Sequence, residues 1–97
     1  MNGVLWTAAA QADLREIHGY VAADSPFRAD ELIRRVERTA RLIHSSPSIG
    51  KRCSHLAEDL HAFPLDRYIL FYLIVDAQIV MVRVLHGARD IEHLFGD

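Results

Sequence analysis

The sequence predicts an α+β domain with the element order βααβββ, in which a helix hairpin covers one face of a sheet. Three observations carry this expectation. Two segments with helical apolar spacing, Ala8 to about Ala23 and Pro26 onward, are joined by only a few residues. Two apolar, β-branched runs, YILFYLIV and IVMVRVLH, follow one another across a short break, and a brief apolar segment precedes the first helix.

Val4, Leu5 and Trp6 have good strand propensity, and Thr7 behind them is placed to cap a helix. In that helix Leu14, Ile17 and Val21 recur at spacings of three and four, with Asp13, Arg15, Glu16 and His18 on other faces. The stretch DSPF then supplies Ser25 as N-cap and Pro26 at the first helical position, where a missing N–H costs nothing. The second helix buries Ala29, Leu32, Ile33, Val36, Ala40 and Ile43, and offers Asp30/Arg34, Glu31/Arg35 and Glu37/Arg41 as i,i+4 pairs. So short a link makes the two helices antiparallel.

Pro47 and Gly50 end the second helix, and Lys51 to Asp59 lacks periodicity and reads as a connecting loop with at most one helical turn. Leu60 to Leu65 is a weak strand that Pro64 assigns to an edge or marks as ending. Tyr68–Val75 and Ile79–His86 are strong strands joined by Asp76, Ala77 and Gln78. Strict alternation in the last strand puts Val80, Val82 and Val84 on one face and Ile79, Met81, Arg83 and Leu85 on the other. The face away from the helices is expected to lie open in the lone chain or to be hidden by a partner.

At 97 residues the chain is read as one domain, 1–97, and its 51% hydrophobic and 25% charged content argues against disorder. A lone cysteine, Cys53, excludes an internal disulfide and fits a reducing compartment, so the cytoplasm is the expected location. The longest apolar run, Tyr68–Val75, is too short to span a bilayer, and neither export nor membrane association is expected. A formal charge of −2 argues against strong autonomous or specific DNA binding.

The stretches WTAAAQADLREIHGY, PSIG and YILFYLIVDAQIVMVRVLHGARDI resemble the ParE/RelE superfamily of toxins from type II toxin-antitoxin systems, and the ending RVLHGARDI resembles the ParE branch in particular. The resemblance implies an antiparallel helix hairpin packed on a small, curved antiparallel sheet. It also implies a hetero-oligomer with a cognate antitoxin whose C-terminal segment wraps and silences the toxin. ParE-like members are associated with poisoning DNA gyrase; RelE-like members cleave mRNA on the ribosome.

RNA cleavage requires an acid/base group and cations for the developing phosphorane charge. Set against the RelE pattern, the first arginine position falls at Ile69 and the C-terminal tyrosine at Phe95, and only Arg89 matches. Gyrase inhibition by binding is therefore the leading expectation, with no catalytic residue. The alternative is a ribosome-dependent endoribonuclease using His86 with Arg83 and Arg89, as in relatives with a histidine at the end of the last strand.

Candidate target contacts are Arg83, His86, Arg89 and Asp90. Each has a plainer reading: Arg83 as a solvated residue, His86 as a structural strand-end histidine, and Arg89/Asp90 as a surface pair. Gly87 is expected to permit a sharp exit from the strand. Apolar residues exceed what one small core needs, so an antitoxin should cover the surplus, with Leu14, Ile17, Val21, Ile33 and Val36 as candidate contacts that can equally be core. Cys53 and the scattered histidines His18, His44, His55, His61, His86 and His93 repeat no ligand spacing, so neither metal nor cofactor is expected. No Gly-rich phosphate loop or G-x-S-x-G motif is present.

Overall fold

A computed structural model describes residues 3–88 and residue 90. The elements are β1 (Val4–Trp6), α1 (Ala8–Ala22), α2 (Pro26–Ser45), a 3-10 turn (Pro47–Ile49), β2 (Lys51–Arg52), β3 (His61–Leu65), β4 (Tyr68–Val75) and β5 (Gln78–His86). The strands form one sheet in the order β1-β5-β4-β3-β2. Pairing is antiparallel from β2 to β5, while β1 runs parallel to β5 with Val4 opposite Ile79, which makes the sheet mixed. The two helices lie between β1 and the rest of the sheet in sequence, and that long crossover is what permits a parallel pair.

Both helix starts follow from their caps. The Thr7 hydroxyl accepts from Ala10 N–H at 3.0 Å and Ser25 from Arg28 N–H at 3.2 Å, with Pro26 in the first turn. His18 Nε2 meets Asp30 at 2.8 Å near the interhelix link, while Leu14 and Ala40 share a groove further along, so the hairpin is antiparallel. The expected i,i+4 pairs give way to other partners. Glu31 binds Arg34 and Arg38, Asp30 takes His18, and Arg35 crosses to Asp66 in the β3–β4 turn. Exposed pairs along one helix are worth only tenths of a kcal/mol, so a tertiary partner readily displaces them.

Two apolar cores flank the sheet. On the helix side Val36, Ala40 and Ile43 of α2 pack with Leu70 and Tyr72 of β4 and Ile79, Met81 and Val84 of β5. On the far side Phe71 and Leu85 pack with Cys53, Leu60 and Ala62. The far face was expected to be open or partner-covered; instead the segment Cys53–Leu60 covers part of it, and Lys51 and Arg52, expected with residues up to Asp59 as a loop, form strand β2. The covering segment is folded on itself by Cys53 N–H to Leu60 C=O at 2.7 Å and Leu56 N–H to Cys53 C=O at 2.9 Å. Covering β4 on both faces explains a strand with no polar alternation. β2 pairs only with His61 and Ala62, so Pro64 sits where β3 has an uncovered edge and its lacking N–H is harmless.

A β-bulge at Val82 reshapes β5. Tyr72 pairs with Met81 but Phe71 pairs with Arg83, leaving Val82 unmatched. The expected alternation therefore fails beyond Met81: Ile79, Met81 and Val84 share the helix-side core, and Leu85 lies on the other. Counted from the turn, an unbroken ladder would set Tyr68 opposite Leu85; the bulge sets it opposite His86.

The outer edge of β5 is completed by side chains after β1 ends. Thr7 N–H donates to Met81 C=O at 3.1 Å, and the Thr7 hydroxyl donates to Val82 C=O at 2.9 Å. Asp13 of α1 then takes over. Its carboxylate accepts from Val84 N–H at 2.9 Å and, in two-point fashion, from Arg83 Nε at 2.8 Å and Nη2 at 2.9 Å. Asp13 is only 8% exposed, and a carboxylate so enclosed is tolerable because all three donors face it.

Tyr72 fixes the end of α2. Its hydroxyl donates to Pro47 C=O at 2.6 Å and accepts from Gly50 N–H at 2.9 Å. A Cβ at Gly50 would lie 2.4 Å from that hydroxyl, so the approach requires glycine. Burial pushes the Tyr72 pKa above its usual 10.0, against a smaller opposing effect from the Gly50 hydrogen bond.

Three variants test these assignments. Asp13→Ala strands both the Arg83 guanidinium and Val84 N–H and should cost roughly 3 kcal/mol in denaturant unfolding. Tyr72→Phe should cost about 1–3 kcal/mol by leaving two main-chain groups unpartnered. Because the folded protein holds the Tyr72 proton more tightly, that contribution is intact below pH 10.0 and is lost as pH rises through the higher folded-state pKa; Tyr72→Phe should flatten this alkaline decline. Asp76 and Ala77, the two residues of the β4–β5 turn, have φ of 50° and 67°, so Ala77→Gly should raise stability by about 1 kcal/mol in thermal melts.

Candidate target and partner surface

The end of β5, the last turns of α1 and the β3–β4 turn enclose a cavity of about 650 Å3. Asp13, Glu16 and Tyr20 come from α1, Arg67 and Tyr68 from the turn and start of β4, and Arg83, His86 and Asp90 from β5 and its exit. The bulge brings Tyr68 and His86 edge to face, with ring centroids 5.7 Å apart and planes at 84°. His86 Nδ1 accepts from Ala88 N–H at 3.3 Å, which leaves Nε2 as the protonated nitrogen of the neutral ring. Asp90 N–H donates to His86 C=O at 3.2 Å, and Gly87 N–H to Arg67 C=O at 2.9 Å, so the strand exit is tied to the turn.

The sequence candidates are distributed as follows. Arg83, His86 and Asp90 line one cavity, while Arg89, with Phe95 and His93, lies outside the described residues. Arg83 is neither a solvated side chain nor a loose cation. Its hydrogen bonds to Asp13 raise its pKa further, and Asp90 and Glu16 add smaller electrostatic contributions in the same direction. Gly87 does not need a left-handed backbone; a Cβ there would come 3.2 Å from Ile69 Cδ1, so close packing is its constraint. Ile69 itself packs against the far-side core and not in the cavity.

Among the apolar candidates, Val36 is 2% exposed and belongs to the helix-side core, so it is closed to a partner. Leu14 and Ile17 pack against that core at intermediate burial, and Val21 and Ile33 are also half-buried. The prominent exposed apolar side chains are instead Tyr20 and Phe27, at the linked ends of α1 and α2.

Of the cavity residues absent from the sequence candidates, Asp13, Arg67 and Tyr68 matter most to its geometry. Asp13 carries a legible signal, since it falls between Ala10 and Ile17 at helical spacing and so places a carboxylate on the buried side of α1. Tyr68 and Arg67 carry none, because their nearness to His86 depends on the bulge. Among the described residues no three His, Cys, Asp or Glu side chains converge as a metal would require, and no helix is long and apolar enough to cross a membrane.

The comparisons with known proteins agree with this architecture. The family model for the ParE toxin of the type II toxin-antitoxin system, parDE, matches residues 4–91. Toxin RelE2 of Caulobacter vibrioides is 30% identical over 89 residues, covering 92% of this chain and 99% of that protein. A structure of the chromosomal ParDE TA system from P. aeruginosa superposes with a TM-score of 0.73 at 17% identity, covering 87% of this chain and 94% of the other, and shares the fold. With the match running from β1 past the end of β5, the chain belongs to the ParE toxin family of type II toxin-antitoxin systems, and that family implies a cognate antitoxin as its partner.

Proposed function

We propose that this toxin arrests growth by gripping DNA gyrase through the surface around the end of β5, and that its antitoxin neutralises it by covering that surface. The candidate contacts are His86 and Asp90 in the cavity and Arg83 at its wall, with Arg89, between Ala88 and Asp90 in the sequence, as the fourth. The observation that carries the binding reading is the Asp13–Arg83 pair. An arginine held at two points by a buried carboxylate is a structural strut, and its charge is already neutralised for a phosphorane. Ile69, at the position of another cationic role, packs among apolar side chains. Gyrase as the target rests on the resemblance to the ParE branch.

A specific observation favours a second reading, ribosome-dependent mRNA cleavage. Tyr68 and His86 are both proton-transfer groups, they touch, and Arg67 stands beside them in the same cavity. The name of the relative Toxin RelE2 points the same way.

Expression of the toxin without antitoxin separates the two. Gyrase poisoning should produce DNA breaks and a DNA-damage response with bulk mRNA intact, and purified toxin should inhibit supercoiling. On this reading Tyr68→Phe leaves the arrest in place, because no proton is transferred. Were mRNA instead cut at ribosomal A sites, with His86→Ala slowing cleavage about 100- to 10,000-fold, the gyrase reading would be wrong.

A further inference from the structure

A second concavity, of about 500 Å3, lies between the first turns of α2 and the β3–β4 turn, with Val21, Phe27 and Leu32 as its apolar wall. Arg67 and Tyr68 line both this space and the cavity at the end of β5, so the two adjoin at those side chains, and together they are called the trough below. Tyr20 and Phe27 stand along it, 78% and 73% exposed, more so than any other large apolar side chain among the described residues. Two rings bared at one end of a small domain are the kind of feature that aromatic-rich interface centres are built from.

The charges narrow the occupant. Arg35 and Arg83, at the two ends of the trough, are held by Asp66 and Asp13. Arg28 and Arg67 are exposed and make no ion pair among the described residues. Two uncommitted guanidiniums beside two uncovered rings suit a ligand that alternates carboxylates with apolar side chains. A nucleic-acid strand fits less well. It carries a charge at every phosphate and would pass Glu16, Glu31 and Asp90, which line the same trough.

We infer that this trough seats an extended, acidic and apolar segment of the antitoxin, whose carboxylates engage Arg67 and Arg28 while its apolar side chains cover Phe27 and Tyr20. The inference rests on the antitoxin reading above and adds the place and the chemistry. It also supplies a means of neutralisation, because a segment lying on Arg67 and Tyr68 closes the mouth of the cavity that holds His86.

The test uses the full-length toxin and the antitoxin encoded beside it, with the dissociation constant measured for the unaltered toxin, Arg67→Glu, Phe27→Ser and, as a control on an exposed arginine outside the trough, Arg15→Glu. Arg67→Glu and Phe27→Ser should each weaken the complex at least tenfold at unchanged melting temperature, and Arg15→Glu should not. Reversing one acidic residue of the antitoxin to arginine should recover part of the loss in Arg67→Glu. A complex of undiminished affinity in both trough variants overturns this inference alone. Loss of binding to a 20-nucleotide single-stranded DNA in those variants, with antitoxin affinity intact, also overturns it and makes nucleic acid the occupant. Failure of the unaltered toxin to form any complex overturns the antitoxin reading and this inference with it.

Discussion

The carboxylate of Asp13 is the constraint on which the rest of this molecule turns. β1 is only three residues long and pairs with β5 as far as Met81, which leaves the outer edge of β5 without a neighbouring strand. An open strand edge is a row of unmet hydrogen-bonding groups. Thr7 and Asp13 meet the next two with side chains, so α1 is docked on the sheet by directional bonds as well as by apolar contact. Arg83 then neutralises the charge that this arrangement buries. One carboxylate thereby fixes the orientation of α1 relative to β5 and hence the shape of the cavity between them.

The bulge at Val82 is the second determinant, and it acts together with Asp13. By inserting one residue it turns Val84 N–H to the outer edge, where Asp13 accepts it, and it advances the strand end by one place so that His86 meets Tyr68. It also divides β5 between two cores, sending Val84 to the helices and Leu85 to the segment Cys53–Leu60. A domain of this size has little core to spare, and covering both faces of β4 with its own chain is how it closes the sheet.

These features bear on function through charge. The cavity holds acidic groups from α1 and from the exit of β5 beside arginines from the turn and from β5, and its most prominent cation is already spoken for. A surface of balanced charge with exposed aromatics is suited to recognising another protein. The cleft chemistry of a nuclease would draw instead on Tyr68 and His86, which the fold places together, and on Arg67. The concavity beyond Tyr68 that Phe27 lines shares Arg67 and Tyr68 with this region, so the proposed target face and the proposed antitoxin seat adjoin.

Local patterns were sufficient for the two helices, their caps and every strand but β2, whose two residues, Lys51 and Arg52, carry no strand signal of their own. Thr7, Ser25–Pro26 and the apolar spacing of α2 write the helix hairpin directly, because caps and periodicity act over a few residues. The runs of β4 and β5, with a two-residue turn between them, write the strand hairpin in the same way, and Pro64 marked the exposed edge. The family resemblance was legible for the same reason, being carried by contiguous stretches. What sequence could not decide was everything set by register and by long-range docking. A bulge is a one-residue offset with no residue type that announces it, yet it reverses which side chains face the helices. The Asp13–Arg83 pair spans seventy positions of chain, and the neighbourhood of Tyr68, Arg67 and His86 exists only once that offset is in place. The sequence alone determined the helix hairpin and the strands other than β2, because their signals are local, whereas Lys51 and Arg52 become a strand only by pairing with β3; the tertiary structure alone decided the site, because its geometry depends on how those elements slide against one another.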